Sequence, residues 1–140
     1  MKLELKENMY IRTKDGHIDK ILLVEYAEEK RQQYPNHPSK KYWRDKILLL
    51  KAGYWRTTQN IIKASYNIID ILQVGDFVNG NEVMEADWIN ENGEYEEGLA
   101  FPMYASDDLD VIENWLPLRC VDIKSIVTKE QMESMSYEVK

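Results

Sequence analysis

Fourteen carboxylates lie between Asp70 and Asp122, and residues 66–122 hold one base, Arg119, for a net charge of −13. Three kinds of chemistry use such a concentration. Paired carboxylates can act as acid, base or nucleophile at a glycosidic bond. Carboxylates grouped in one loop can bind a hard cation. A surface of one sign builds a potential of several kT that attracts basic partners and repels nucleic acid. The first signal is unspecific, because 25 acids in 140 residues always include pairs. The second would rest on Asp107, Asp108 and Asp110 with Glu113, whose spacing lacks the Asp-x-Asx-x-Asx-Gly order of an EF-hand loop. A solvated acidic face accounts for these residues better. The third needs only the charge distribution, although the same charge could serve solubility alone or be covered by the basic part of the chain. That part is residues 1–65, with 14 Lys/Arg against 8 Asp/Glu.

Other chemistries find fewer residues. Cys120 is the single cysteine and has no internal disulfide partner. As a nucleophile it would need a base, and His17 and His37 both sit in turn or loop sequence. Beside Val121 it reads as a small core residue. No His or Cys pair has zinc spacing. Gly75 and Gly80 lack the pattern of a phosphate-binding loop and read as turn residues. The expectation is therefore a protein that is not an enzyme, with no cofactor and no metal. One further segment draws notice: Lys40-Lys41-Tyr42-Trp43-Arg44, echoed by Tyr54-Trp55-Arg56. Aromatics flanked by cations can stack bases and hold phosphates. Strand alternation would send Tyr42 and Trp43 to opposite faces, one of each pair into the core. The acidic stretch would have to point away from a bound strand, so nucleic acid is the lesser partner.

The elements that must position these residues read mainly as short strands. Residues 9–13 are β-prone and run into Asp15-Gly16, a hairpin signal, with a returning strand over 18–26. Residues 27–41 read as a long exposed loop, with a helical start at Glu28 that ends before Pro35. A second hairpin is expected from strand 42–50, a turn near Ala52-Gly53 and a strand over 54–64. Residues 65–72 suit a short helical turn. Asn79-Gly80 and Asn92-Gly93 mark further hairpins, with 83–89 pairing back on the strand before Asn79. Residues 107–115 are ambiguous: Ser106 or Asp107 could cap a short helix that Pro117 ends. A last strand is expected over 121–127, followed by a helix opened by the capping box Thr128-Lys129-Glu130-Gln131. The fold class is mainly β (α+β), a small antiparallel barrel or sandwich with a C-terminal helix, in a single domain over 1–140. A hydrophobic fraction of 44% is enough for a core. No apolar run approaches the roughly 18 residues of a membrane span, so no membrane contact and a cytoplasmic setting are expected.

Three segments, YIRTKDGHIDKI over 10–21, KASYNIIDILQVGDFVNG over 63–80 and DIKSIVTKEQMESM over 122–135, resemble a family of small proteins encoded by phages and prophages of Gram-positive bacteria. The resemblance covers about a third of the chain and omits 22–62 and 81–121. It carries no catalytic motif. It implies a host-cell setting in which small acidic proteins without active sites have an anti-CRISPR-like character, occupying the basic nucleic-acid channel of a nuclease. The expected function is then inhibition of a host nucleic-acid-processing defence complex through an acidic surface. Glu82, Glu85, Asp87, Glu91, Glu94, Glu96, Glu97, Asp107, Asp108, Asp110 and Glu113 would supply the charge, and Trp88, Tyr95 and Trp115 the anchors. The partner would be basic, such as a host CRISPR effector. The alternatives are a nucleic-acid-binding accessory protein using the basic aromatic hairpin, and a phage structural or assembly factor.

Overall fold

The first hairpin forms where Asp15-Gly16 predicts it in the computed structural model, which describes residues 4–105 and 107–135. Strands β1 (Tyr10–Thr13) and β2 (Ile18–Glu25) pair antiparallel, with Tyr10 opposite Lys20. Gly16 takes φ 85°, a left-handed conformation that costs glycine nothing. Its N–H donates to the Thr13 carbonyl at 3.0 Å, and the His17 N–H donates to Thr13 Oγ1 at 3.1 Å. The chain gathers into two units, Met1–Ile71 and Leu72–Lys140.

The first unit is built on a five-stranded antiparallel sheet that adds β3 (Lys46–Leu49), β4 (Trp55–Thr57) and β5 (Ile61–Ser65) in the order β4-β3-β2-β1-β5. Its core is the apolar side of these strands: Ile11, Ile21, Ile47 and Leu49 with Leu5, all buried. Ile21 and Leu49 are direct cross-strand partners. A register shift after Ile21 leaves Leu22 and Leu23 both exposed on the far side.

Asp19 ties this sheet together. Its side chain is fully buried, and its carboxylate accepts from the backbone N–H groups of Lys20 (2.8 Å), Lys51 (2.8 Å) and Ala52 (2.9 Å) and contacts His17 Nε2 at 3.0 Å. Burial alone would raise its pKa, but the three amide donors and His17 outweigh that and hold the carboxyl below the usual aspartate range. The loop after β3 is thereby pinned to β2, 32 residues earlier in sequence.

Helix α1 (Ala27–Gln33) forms as the sequence suggests, with Glu28 and Glu29 in its first turn and Lys30 and Arg31 in its last, matching the helix dipole. No side chain caps it locally. Asp45 Oδ1 accepts the Ala27 N–H at 2.8 Å instead.

The expected strand over 42–50 begins only at Lys46, and Tyr42 ends a short 3-10 turn, Lys40–Tyr42. Arg31 holds this segment out of the sheet: its Nε donates to the Lys40 carbonyl (3.0 Å) and its Nη2 to the Trp43 carbonyl (2.8 Å). The partner strand over 54–64 is likewise split. β4 pairs with β3, while β5 pairs with β1 at the other edge of the sheet.

The second unit carries two three-stranded antiparallel sheets. One has the order β11-β6-β7, from β6 (Phe77–Val78), β7 (Asn81–Glu82) and β11 (Ile126–Val127). The other has the order β10-β9-β8, from β8 (Met84–Ile89), β9 (Tyr95–Ala105) and β10 (Asp108–Pro117). Asn79-Gly80 makes the β6–β7 turn with both residues at positive φ, 52° and 82°. Asn79 also reaches along the chain: Oδ1 accepts from the N–H of Lys124 (2.8 Å) and Ser125 (3.1 Å), and Nδ2 donates to the Asp122 carbonyl (2.9 Å). Buried Asp76 accepts from the N–H of Gln73 (2.7 Å) and Lys129 (3.0 Å). The capping box is complete: Gln131 Oε1 accepts the Thr128 N–H at 3.0 Å, Thr128 Oγ1 accepts the Gln131 N–H at 3.3 Å, and α2 (Lys129–Met135) follows.

The fold class is thus mainly β with antiparallel sheets and a short C-terminal helix, and none of the sheets closes into a barrel among the described residues. Three further local expectations differ. Of residues 83–89 only Val83 pairs back, exchanging backbone hydrogen bonds with Gly75 and Asp76, while Met84–Ile89 pair forward with β9, because β7 has already taken the edge of β6. The last strand shortens from 121–127 to Ile126–Val127. The helix considered over 107–115 is strand β10. Its alternation of Asp108, Leu109, Asp110 and Val111 has a period of two, and pairing with β9 overrides the capping signal. Ser106 lies outside the described residues. Among the described residues no helix is long and apolar enough to cross a membrane.

Candidate functional site

The β10-β9-β8 sheet gathers most of the carboxylates singled out above. The register sets Asp87 opposite Glu97, Glu85 opposite Leu99 and Ile89 opposite Tyr95, so these six side chains share one face. Like charges directly opposite destabilise a strand pair. The Tyr95 hydroxyl relieves part of that repulsion by donating to Asp87 Oδ2 at 3.0 Å. That hydrogen bond, with further help from burial and the nearby carboxylates, raises the Tyr95 pKa. An open cleft of about 450 Å³ is lined by Glu85, Ala86, Asp87, Glu97 and Trp115. One expected anchor, Trp115, thereby meets three of the expected charges.

Arg119, the lone base of the stretch, is engaged. Its Nε and Nη2 hold Glu96 Oε2 and Oε1, both at 2.7 Å, in a bidentate pair, and Nη2 also meets Glu91 Oε2 at 3.3 Å. The hydrogen bond from Arg119 is the main reason the Glu96 carboxyl lies below the usual glutamate range. Glu91 and Glu96 are therefore ion-paired within the chain, the trio keeping one net negative charge, and nothing in a 23-residue separation signals that pairing. By contrast Glu82, Glu85, Asp87, Glu94, Glu97, Asp107, Asp108, Asp110 and Glu113 are exposed and make no ion pair among the described residues.

The aromatic anchors divide. Tyr95 is open to solvent at 65% exposure. Trp88 and Trp115 are half-buried. The Trp88 ring lies near Gly98, where a Cβ would stand 3.9 Å from the ring edge. Glu82 belongs to the other sheet of the unit, on β7. Asp107, Asp108, Asp110 and Glu113 follow β10 and do not converge. Among the described residues no group of three or more His, Cys, Asp or Glu could hold a metal ion.

The basic aromatic pair is not one surface. Trp43 is half-buried, with His37 at 5.0 Å between ring centroids and Lys30 Nζ 4.5 Å above its ring. Tyr42, Tyr54 and Trp55 are exposed, so neither member of the second pair enters the core. Trp55 sits on edge strand β4 opposite Leu48, which in turn faces Leu23.

Residues 107–117 also hold side chains that a helical reading passes over. Leu109, Val111 and Ile112 on β10 and Met103 and Tyr104 on β9 are exposed apolar groups. The period-two alternation of Asp and apolar residues was the sign of them. Compared with protein-family models, with curated proteins and with solved structures, the chain matches none.

Proposed function

We propose that this protein is a non-enzymatic binding protein that engages a basic partner through the acidic β10-β9-β8 sheet. In the phage setting implied by the resemblance, that partner is a host nucleic-acid-processing defence complex such as a CRISPR effector nuclease. The observation that supports this reading most is the state of the charge. Arg119 is spent on Glu91 and Glu96, while Glu85, Asp87 and Glu97 share a face and make no ion pair among the described residues. Carboxylates held on a pleated sheet at strand spacing present a row of negative charge that a phosphate-binding channel would attract. RNA-guided nucleases hold their heteroduplex in a positively charged channel.

The test is a panel of host defence nucleases assayed with and without the protein, alongside the variant Glu85→Lys/Asp87→Lys/Glu97→Lys. Inhibition by the wild type that weakens at least tenfold in the variant is expected, with faster association at low ionic strength because steering is screened over about 8 Å at physiological salt. Equal inhibition by both forms would remove the acidic sheet from the mechanism. Absence of inhibition across the panel would favour an assembly-factor role.

A further inference from the structure

We propose that the two-stranded ribbon at the end of the β10-β9-β8 sheet is the apolar anchor of this surface, and that its occupant is a protein with an apolar pocket ringed by Lys or Arg. β8 pairs with β9 only from Tyr95 to Ala100. From Phe101 to Ala105, β9 is paired with β10 alone. On this ribbon Asp108 faces Ala105 and Ile112 faces Tyr104, so four residues of β10 advance against one of β9. The surplus, Leu109-Asp110-Val111, is displaced from the ladder, and the Asp110 N–H turns back to Asp108 Oδ1 at 2.9 Å. The bulge carries Leu109 to 78% exposure and Val111 to 49%, next to Ile112 at 40%. Bulges re-aim side chains and end edge pairing, so this strand edge is a poor template for an added strand but a ready presenter of side chains.

Exposed apolar side chains clustered and rimmed by charge mark interaction surfaces, since an interface places its apolar core inside a polar rim. The charge next to these apolar residues along the chain is Asp107, Asp108, Asp110 and Glu113, all acidic, exposed and without an ion pair among the described residues, and it serves as the rim. That rim selects the occupant. A second copy docked ribbon to ribbon would oppose eight carboxylates as they lose water, and an anionic lipid surface would repel them. A basic protein surface completes them instead.

The inference rests on the acidic-partner reading and sharpens it, so its test separates the two. The probe is a 12-residue synthetic peptide alternating Lys with Leu, compared with one alternating Lys with Ser. Binding is read by fluorescence anisotropy against wild type, Leu109→Ser/Val111→Ser and Glu85→Lys/Asp87→Lys/Glu97→Lys. The inference expects the Lys/Leu peptide to bind wild type at least about tenfold more tightly than the Lys/Ser peptide, and Leu109→Ser/Val111→Ser to erase that preference. Both replaced residues are exposed, so the urea midpoint should stay in place and report an intact fold. A preference for the Lys/Leu peptide that survives Leu109→Ser/Val111→Ser overturns the anchor while leaving the acidic sheet standing. Loss of binding in the Lys variant together with an unchanged Lys/Leu preference in Leu109→Ser/Val111→Ser does the same. Equal binding of both peptides by all three proteins overturns both readings. A wild-type dimer in sedimentation velocity that Leu109→Ser/Val111→Ser dissociates would assign the ribbon to a second copy and also overturn the inference.

Discussion

The two units place the same side chain, an aspartate on a strand, in opposite circumstances. In the first, the Asp19 carboxylate is fully buried and surrounded by three backbone N–H donors and His17. In the second, Asp87 and its neighbours Glu85 and Glu97 stand in water on a sheet face, where Asp87 accepts a hydrogen bond from the Tyr95 hydroxyl. A buried carboxylate whose lone pairs are filled by amides holds distant backbone together. An exposed one contributes little to the fold and keeps its charge available to a partner. Acid content alone therefore says little about function, and the donors around each acid decide its role.

The comparison can be broken most directly at Asp19. Asp19→Ala strands the partly buried N–H groups of Lys51 and Ala52 and should cost about 2–4 kcal/mol in urea unfolding. A loss under about 1 kcal/mol would show that the loop after β3 does not depend on it. The pH dependence follows from the lowered pKa. Folded Asp19 binds its proton less tightly than the unfolded chain does, so its stabilisation is present above about pH 4 and lost as pH falls through the lower folded-state value. Asp19→Asn should flatten that acid limb, whereas the Glu85→Lys/Asp87→Lys/Glu97→Lys variant should retain it.

A second pair of variants contrasts apolar groups in the same way. Leu49→Ala empties a fully buried core position and should cost about 2–4 kcal/mol. Leu109→Ala, on the exposed bulge, should leave the urea midpoint unchanged. A large loss at Leu109 would mean that the ribbon is packed rather than offered.

Asn79→Ala sharpens the comparison inside the second unit. It removes two accepted and one donated hydrogen bond to residues 122–125 and puts alanine at φ 52°, for a cost of about 1–2 kcal/mol. The smallest effect is expected at Arg119→Ala, where the ion pairs are solvent-exposed. The unfolding midpoint should barely move, while the Glu96 carboxyl should titrate higher in an NMR pH series once its Arg119 hydrogen bond is gone. An unchanged Glu96 titration would show that the bidentate pair does not persist in solution.

Local chemistry written within a few residues was legible from the chain alone. Asp15-Gly16 and Asn79-Gly80 marked their turns because their left-handed geometry suits glycine and asparagine. Thr128 and Gln131 marked the start of α2 because a capping box needs nothing beyond one turn. The acidic character of residues 66–122 is arithmetic on the sequence. What only the tertiary structure decided depends on distant partners. Arg31 draws Trp43 out of an expected strand through contacts 12 residues away in sequence. β9 turns a plausible capped helix into β10, because cross-strand pairing outweighs local propensity. Arg119 engages Glu91 and Glu96 across gaps of 28 and 23 residues and offsets one of their two charges. The sequence set how much negative charge this protein carries. The pairing of strands set which of those carboxylates are spent within the chain and which stand open on a sheet, because a hydrogen bond or an ion pair depends on distance in space and not along the chain.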